Sequence, residues 1–373
     1  MKFVARKDDF LNGIRIIERA TVIKGLQPVL ANVLIETIDN NQIKLSATDY
    51  DLSITTLIEA QVEEEGKFTL PAKKLGEIIS RLQDELVRLE LNGATANITC
   101  KNSKFDIIGI SASEFPKIDE AISEEDSIEI ETKPFVKAIR QVVSAAAGYE
   151  TNNLLSGVVC EVNKNILEVA ATDGNRLARV REVIKNLSQD EEKSFEMLIS
   201  SKVLSELSKV ALLTEAENIG IIKEGKKIVI IVDKTKIITR LMQGQYPKYN
   251  QLIPQTFPKE AKVDKNLLIA ALERVAVMVN EKNSIVKFEL LDNTLKLSGD
   301  SPESGNSQDE IDVQYLSEPI TIAFNYKFVL EFLKIVESDE IYIELNTPLS
   351  ATVFKPCSDE DYIYLVMPVQ LRN

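Results

Sequence analysis

Leu30-Ala31-Asn32-Val33-Leu34-Ile35-Glu36 leads to Leu45-Ser46-Ala47-Thr48-Asp49, and Leu155-Ser156-Gly157-Val158-Val159-Cys160-Glu161 leads to Leu167-Glu168-Val169-Ala170-Ala171-Thr172-Asp173. The two Ala-Thr-Asp triplets stand 124 residues apart, about one third of a 373-residue chain. Solenoid units span roughly 20–50 residues, so this longer period marks repeated domains. Such a chain builds a shape from copies of one unit.

The residue inventory narrows what that shape can do. Histidine and tryptophan are absent, which removes His-dependent triads, imidazole bases and most zinc or non-haem iron sites. There is no glycine-rich phosphate loop. Cys100, Cys160 and Cys357 are odd in number and far apart, so they read as buried small apolar side chains, not as a disulfide framework. No stretch approaches the roughly 18 apolar residues of a membrane span. The opening Met1-Lys2-Phe3-Val4-Ala5-Arg6-Lys7 carries no apolar run for a signal peptide. The expectation is a cytoplasmic protein with no cofactor or metal site built on imidazole or thiol ligands, while carboxylate- or lysine-based chemistry stays open.

The repeat reaches beyond the triplet. Apolar residues at helical spacing open each third: Phe10/Ile14/Ile17, Phe135/Ile139/Val142 and Leu268/Leu272/Val275. β-Branched segments follow, closed by Asp39-Asn40-Asn41, Asn163-Lys164-Asn165 and Asp292-Asn293. A second helix comes next in each copy: Pro71 in the first turn of 72–83, Ser200-Ser201 capping 202–211, and Asn325 capping 326–336. Alternating strands close the copies over 86–110, 219–241 and 341–368. The first two end in matching phrases, Glu114-Phe115-Pro116-Lys117 and Gln245-Tyr246-Pro247-Lys248. In the third copy the triplet becomes Ser298-Gly299-Asp300. The expected domains are 1–126, 127–256 and 257–373, each α+β because runs of strands carry only two helices.

Charge is divided between helices and strands. The helix windows 7–19, 72–83, 133–146, 201–211, 265–279 and 326–336 hold fifteen Lys and Arg against seven Asp and Glu, a balance of +8. The whole chain is −14, so the remainder carries −22. Helices gathered on one basic surface would meet phosphates without reading sequence, while an acidic exterior repels casual DNA binding. That combination suits enclosure of DNA.

These residues resemble the bacterial DNA polymerase sliding clamps, the beta subunits of the replicative polymerase. The resemblance is carried by Ala171-Thr172-Asp173-Gly174-Asn175-Arg176-Leu177-Ala178 and by Tyr364-Leu365-Val366-Met367-Pro368-Val369-Gln370-Leu371. Met1-Lys2-Phe3, Leu70-Pro71-Ala72, Phe115-Pro116, Asn280-Glu281-Lys282 and Phe324-Asn325 support it, and it covers essentially the whole chain. It implies three tandem DNA-clamp domains and a head-to-tail homodimer closing a ring around duplex DNA, helices inside and sheets outside. It also implies tethering of the replicative polymerase, the clamp loader and other proteins with a clamp-binding motif.

By the same resemblance, a cleft between the second and third domains receives a short apolar peptide. Its matching residues are Leu155, Thr172, Gly174, Asn175, Arg176, Leu177, Pro247, Leu252, Asn325, Phe328, Leu349, Val366, Met367 and Pro368. Asp173 reads as a turn residue, because Thr48-Asp49 keeps the turn without a following glycine. The DNA-facing set is Lys24, Lys73, Lys74, Arg81, Lys137, Arg140, Tyr149, Lys202 and Lys209. At the dimer contact, Lys104 and Phe105 would meet Val277, Met278 and Glu303 of the partner. Asn175, Gln251, Gln370, Asn283 and the Arg372-Asn373 extension depart from the family pattern and bear on peptide preference.

Two other readings follow from the residues. One is an acidic peptide-binding adaptor that never encloses DNA. The other is a phosphoryl-transfer enzyme using Asp49 and Asp173 as metal-binding carboxylates.

Overall fold

The computed structural model describes all residues except 23, 24, 26, 84, 122–126, 149–153, 185–193, 281–283, 302–304 and 371–373. Among the described residues the same order of ten elements occurs three times. The first pass is β1 (Lys2–Arg6), α1 (Lys7–Ile17), β2 (Asn32–Thr37), β3 (Gln42–Thr48), β4 (Leu52–Glu64), β5 (Lys67–Pro71), α2 (Ala72–Ser80), β6 (Leu86–Asn92), β7 (Thr95–Cys100) and β8 (Ser103–Ile108). The second is β9 (Ser127–Glu131), α3 (Thr132–Val142), β10 (Gly157–Asn163), β11 (Ile166–Thr172), β12 (Arg176–Val183), β13 (Ser194–Ser200), α4 (Ser201–Thr214), β14 (Asn218–Glu224), β15 (Lys227–Val232) and β16 (Thr235–Arg240). The third is β17 (Lys259–Asp264), α5 (Lys265–Ala276), β18 (Ile285–Leu291), β19 (Thr294–Ser301), β20 (Gly305–Asp312), β21 (Ile320–Asn325), α6 (Tyr326–Ile335), β22 (Glu340–Leu345), β23 (Thr352–Pro356) and β24 (Tyr362–Val366).

The helices form where the sequence spaces its apolar residues. In α1, Phe10, Ile14 and Ile17 are buried, and Asp8 and Asp9 sit in the first turn, where the helix dipole favours them. Gly13 lets α1 approach the sheet: a Cβ there would meet Ile58 Cδ1 at 2.2 Å. The Asn325 side chain caps α6 by accepting from the Lys327 amide at 3.1 Å, and Asp264 caps α5 in the same way at 2.8 Å. Pro71 stands at the cap position of α2, just before the first turn expected for it.

Strand pairing repeats as faithfully as element order. One ladder runs β5-β2-β3-β4, then β13-β10-β11-β12, then β21-β18-β19-β20. The other runs β1-β6-β7-β8, β9-β14-β15-β16 and β17-β22-β23-β24. Neighbouring repeats are sewn together by one rule, in which the fourth strand of a repeat pairs with the eighth strand of the next. Thus β4 pairs antiparallel with β16, and β12 with β24. The first seam buries a hydrogen bond between the Thr56 and Thr235 hydroxyls at 2.9 Å.

By contacts the chain falls into two compact units, and their boundary cuts through the second repeat. Unit 1 gathers Met1–Thr132 with Glu206–Leu241, and unit 2 gathers Lys133–Ile184, Glu192–Ser205 and Met242–Asn373. The seams explain the cut, because each half of the second repeat is hydrogen-bonded to a neighbour. Unit 1 holds a 12-stranded sheet, closed further by β1 pairing with the long β4. Unit 2 holds an 8-stranded and a 4-stranded sheet. Its third repeat has an aromatic core, with Phe324 edge-on to Phe288 at 5.1 Å and to Phe354 at 5.7 Å.

One sequence expectation changes. Cys100 and Cys160 are buried, but Cys357 is only half-buried and bonds with Tyr342, because it lies just past the end of β23. In the third repeat Ser298-Gly299-Asp300 lies within β19. No described helix is long and apolar enough to cross a membrane.

Candidate partner cleft and DNA-facing surface

The Ala-Thr-Asp phrase builds the same turn twice. Thr48 Oγ1 accepts from the Tyr50 amide, and Asp49 Oδ1 accepts from the amides of Asp51 and Leu52 at 3.1 and 2.7 Å. Thr172 Oγ1 accepts from the Gly174 amide, and Asp173 Oδ1 accepts from those of Asn175 and Arg176 at 2.8 and 3.0 Å. Residue 50 has φ 76° and residue 174 has φ 90°, so both turns need the left-handed region. Glycine supplies it freely at 174, and tyrosine is strained into it at 50. Both aspartates are thus spent on turn amides, and Asp173 also binds Arg176 Nε at 3.1 Å.

After the turn the copies diverge. Leu52 is fully buried, whereas its counterpart is Arg176, also buried at 8% exposure. A buried guanidinium must be paired to be tolerated. Arg176 donates to Glu331 at 2.6 Å, to the Tyr364 hydroxyl at 3.2 Å and to the Ser144 carbonyl at 2.6 Å. It also lies 4.3 Å above the Phe328 ring. Burial alone would lower its pKa, but Tyr364 and Glu331 outweigh burial and raise it.

Around this arginine lies an apolar wall. Leu177, Val159, Leu365, Tyr246 and Tyr249 form a buried cluster against which Leu154, Leu155, Met242 and Ile253 pack. The Tyr246 hydroxyl accepts from the Thr172 amide at 3.0 Å, and burial pushes its pKa up to about 12. Met367 continues the seam by donating its amide to the Asn175 carbonyl at 2.8 Å. Leu252, Leu349 and Met367 remain 55, 64 and 43% exposed, apolar area left open to solvent.

Direct contacts therefore join Thr172, Gly174, Asn175, Arg176, Leu177, Phe328, Val366 and Met367, with Leu155 on the same cluster. Pro247 accepts from the Tyr249 amide through its carbonyl, Pro368 follows Met367, and the Asn325 side chain is occupied as the α6 cap. Sequence reasoning missed Glu331, Tyr364, Ser144 and Tyr246, the groups that hold the turn and its arginine. Glu331 had a local signal, three residues beyond Phe328 and so on the same helix face. Tyr246 stands where the first copy has Phe115, and its added hydroxyl was the clue.

The expected DNA-facing residues divide by their neighbours. In unit 1, Lys73 and Arg81 are exposed on and just after α2, while Lys74 pairs with Glu77 and Lys209 with Glu206 at 3.1 and 2.7 Å. There α1 packs on α2, and Asn12 bonds the Leu213 carbonyl of α4. In unit 2, Arg140 and Lys202 are exposed, whereas Lys137 pairs with Glu182 and Asp359. Lys24, Tyr149 and Glu303 lie outside the described residues, as do Asn283, Arg372 and Asn373. Lys104 is exposed, Phe105 is 36% exposed and Val277 78% exposed, while Met278 is half-buried.

Three α+β repeats sewn by sheet seams define a clamp-fold protein. Models of the DNA polymerase III beta subunit match in order: the N-terminal domain at residues 1–119, the central domain at 129–248 and the C-terminal domain at 250–370. The chain belongs to this family, the bacterial beta sliding clamps. It is 35% identical over 378 residues to the beta sliding clamp of Synechococcus elongatus and 31% over 393 residues to that of Synechocystis, with 100% of each chain covered. Among solved structures, the beta subunit of Thermotoga maritima superposes with a TM-score of 0.92 at 30% identity, and the sliding clamp of Bacillus subtilis with 0.89 at 27%, again over 100% of both chains.

Proposed function

We propose that two copies of this DNA sliding clamp close head to tail into a ring around duplex DNA, with helices lining the hole and sheets outside. The observation that carries this reading is the seam rule. The fourth strand of each repeat takes the eighth strand of the next, which leaves, among the described residues, one edge of β20 and one edge of β8 without a partner strand. Both are edge strands with mostly exposed residues. An exposed edge is a template for another strand, and here β20 of one protomer takes β8 of its partner. The contact is heterologous and closes after two chains, because three repeats each make six.

The domains divide as residues 1–126, 127–256 and 257–373. The exposed Lys73, Arg81, Arg140 and Lys202 meet phosphates without sequence preference. Partners dock a short apolar peptide against Leu155, Leu177, Leu252, Phe328, Leu349 and Met367, with the Gly174-Asn175 turn fixing its backbone. They include the replicative polymerase catalytic subunit and the clamp loader, and the protein works in the cytoplasm on the nucleoid. Its contribution is effective concentration, because a tethered polymerase that lets go is recaptured intramolecularly. Primer extension on a singly primed circular template, with the cognate polymerase and clamp loader, tests the reading. Much longer products per binding event are expected, and unchanged product length contradicts it.

A further inference from the structure

The turn beside the cleft has a counterpart at the first seam, and that counterpart opens onto a cavity of about 640 Å³. Thr48, Tyr50, Ser53 and Pro116 line it, at the repeat positions of Thr172, Gly174, Leu177 and Pro247. The far wall is β16, the repeat counterpart of β24, through Ile238, Thr239 and Arg240. The plan of the cleft is kept and its lining is changed.

The buried arginine is gone, replaced by the fully buried Leu52. Tyr50 stands where Gly174 stands, its side chain 57% exposed on a residue held at φ 76°. Strain of that kind persists only where the surroundings enforce it, and here Thr48 and Asp49 do so. Ile118 packs on the Ile222, Val229 and Ile238 cluster and gives the cavity an apolar floor.

The charges do not cancel. Lys227 is saturated by Asp119 at 3.0 Å, Glu224 at 3.2 Å and the Ala121 carbonyl at 2.5 Å. Lys117 and Arg240 are exposed lining residues whose side chains have no ion pair or hydrogen bond within the described structure. Asp51 is the lining carboxylate outside the Lys227 cluster. Two open cations therefore face one carboxylate across an apolar floor.

We propose that this cavity is a second peptide site, which takes a short acidic segment of a partner protein. An apolar side chain of the segment rests on Ile118 and Ile238 beside the Tyr50 ring, and its carboxylates pair with Lys117 and Arg240. The choice of a peptide rests on reading the repeat-equivalent cleft as a peptide site, and the choice of an acidic one rests on charge.

The test is calorimetric titration of the full chain with the blocked pentapeptide Asp-Leu-Asp-Leu-Phe. Two sites per chain are expected. Lys117→Glu together with Arg240→Glu should weaken one of them about tenfold or more and spare the other. The pentapeptide with Asn in place of Asp should lose the same site. Methyl spectra should show Ile118 and Ile238 shifting on binding in the parent and staying still in the double variant. A single site, a second site indifferent to charge reversal, or a DNA oligonucleotide filling the cavity in preference to the peptide overturns the proposal. Phe328→Ala addresses the other cleft, so failure of that reading leaves the seam result untouched.

Discussion

The guanidinium of Arg176 lies 4.3 Å above the ring of Phe328 and is bound to Glu331 on the same helix at 2.6 Å. One buried side chain thereby ties β12 to α6, to β24 through Tyr364 and to the carbonyl of Ser144. Arg176 is buried against Phe328, whose ring is half-buried.

Truncating Arg176 should therefore cost stability as well as binding. Arg176→Ala leaves Asp173 and Glu331 without their cation, a loss of about 2–4 kcal/mol, below the usual figure for a broken buried pair because Glu331 is 42% exposed. Phe328→Leu conserves most of the volume and should change stability by less than about 1.5 kcal/mol, yet weaken a partner peptide about tenfold through loss of the ring. Urea unfolding and fluorescence anisotropy with a labelled peptide check the pair. Equal stability losses in both variants would contradict the division of roles.

The two turns predict opposite responses to glycine. Tyr50→Gly should stabilise by less than about 1 kcal/mol, since relief of φ 76° outweighs the exposed bond from Tyr50 to Gln27 and the entropy that glycine adds to the unfolded chain. Gly174→Ala should destabilise by about 1 kcal/mol from backbone strain alone, because a Cβ there meets no atom within 4 Å. Thermal melting of both variants reads the difference in sign.

Glu161 predicts a pH dependence. Burial raises its carboxyl above the ordinary 4.5, and the neighbouring Glu168 and Glu196 push it further in the same direction. For an acid raised in the fold, the stabilising contribution is complete below the unfolded value and is lost as pH rises through the folded one. Glu161→Gln removes that loss. The variant should melt above the parent near about pH 8, and the gap should close toward about pH 4. A gap that widens on acidification has the wrong sign.

The edge strands predict the assembly. Ile108 is 75% exposed at the end of β8. A charge placed there should cost little in the monomer and much in a strand-to-strand contact. Ile108→Asp should convert the dimer to monomers in sedimentation at micromolar concentration with an unchanged far-ultraviolet spectrum. A dimer that survives Ile108→Asp and Phe105→Asp together places the interface elsewhere.

Much of this architecture was legible in the chain, and the reasons are local. Asp49 and Asp173 act on amides two and three residues ahead, so their turns leave a signature in consecutive residues. The spacing of Phe10, Ile14 and Ile17 reports one helix face directly. The seams were not legible. Thr56 meets Thr235 across 179 residues, and Arg176 takes partners from three distant segments. No periodicity encodes such pairings. Lys137 shows the other limit: helix spacing exposes it, and only the fold supplies Glu182 and Asp359 beside it.

Enclosure is the central claim, and topology tests it most directly. The clamp is loaded onto nicked circular DNA by the cognate clamp loader, gel-filtered at moderate salt, and half of the sample is linearised with a single-cut nuclease. Clamp should remain with the circles and be lost from the linear molecules, because a ring slides off an end while holding no base. Equal retention on both forms, falling steeply with salt, would mean that the protein grips DNA by charge, and would contradict the ring.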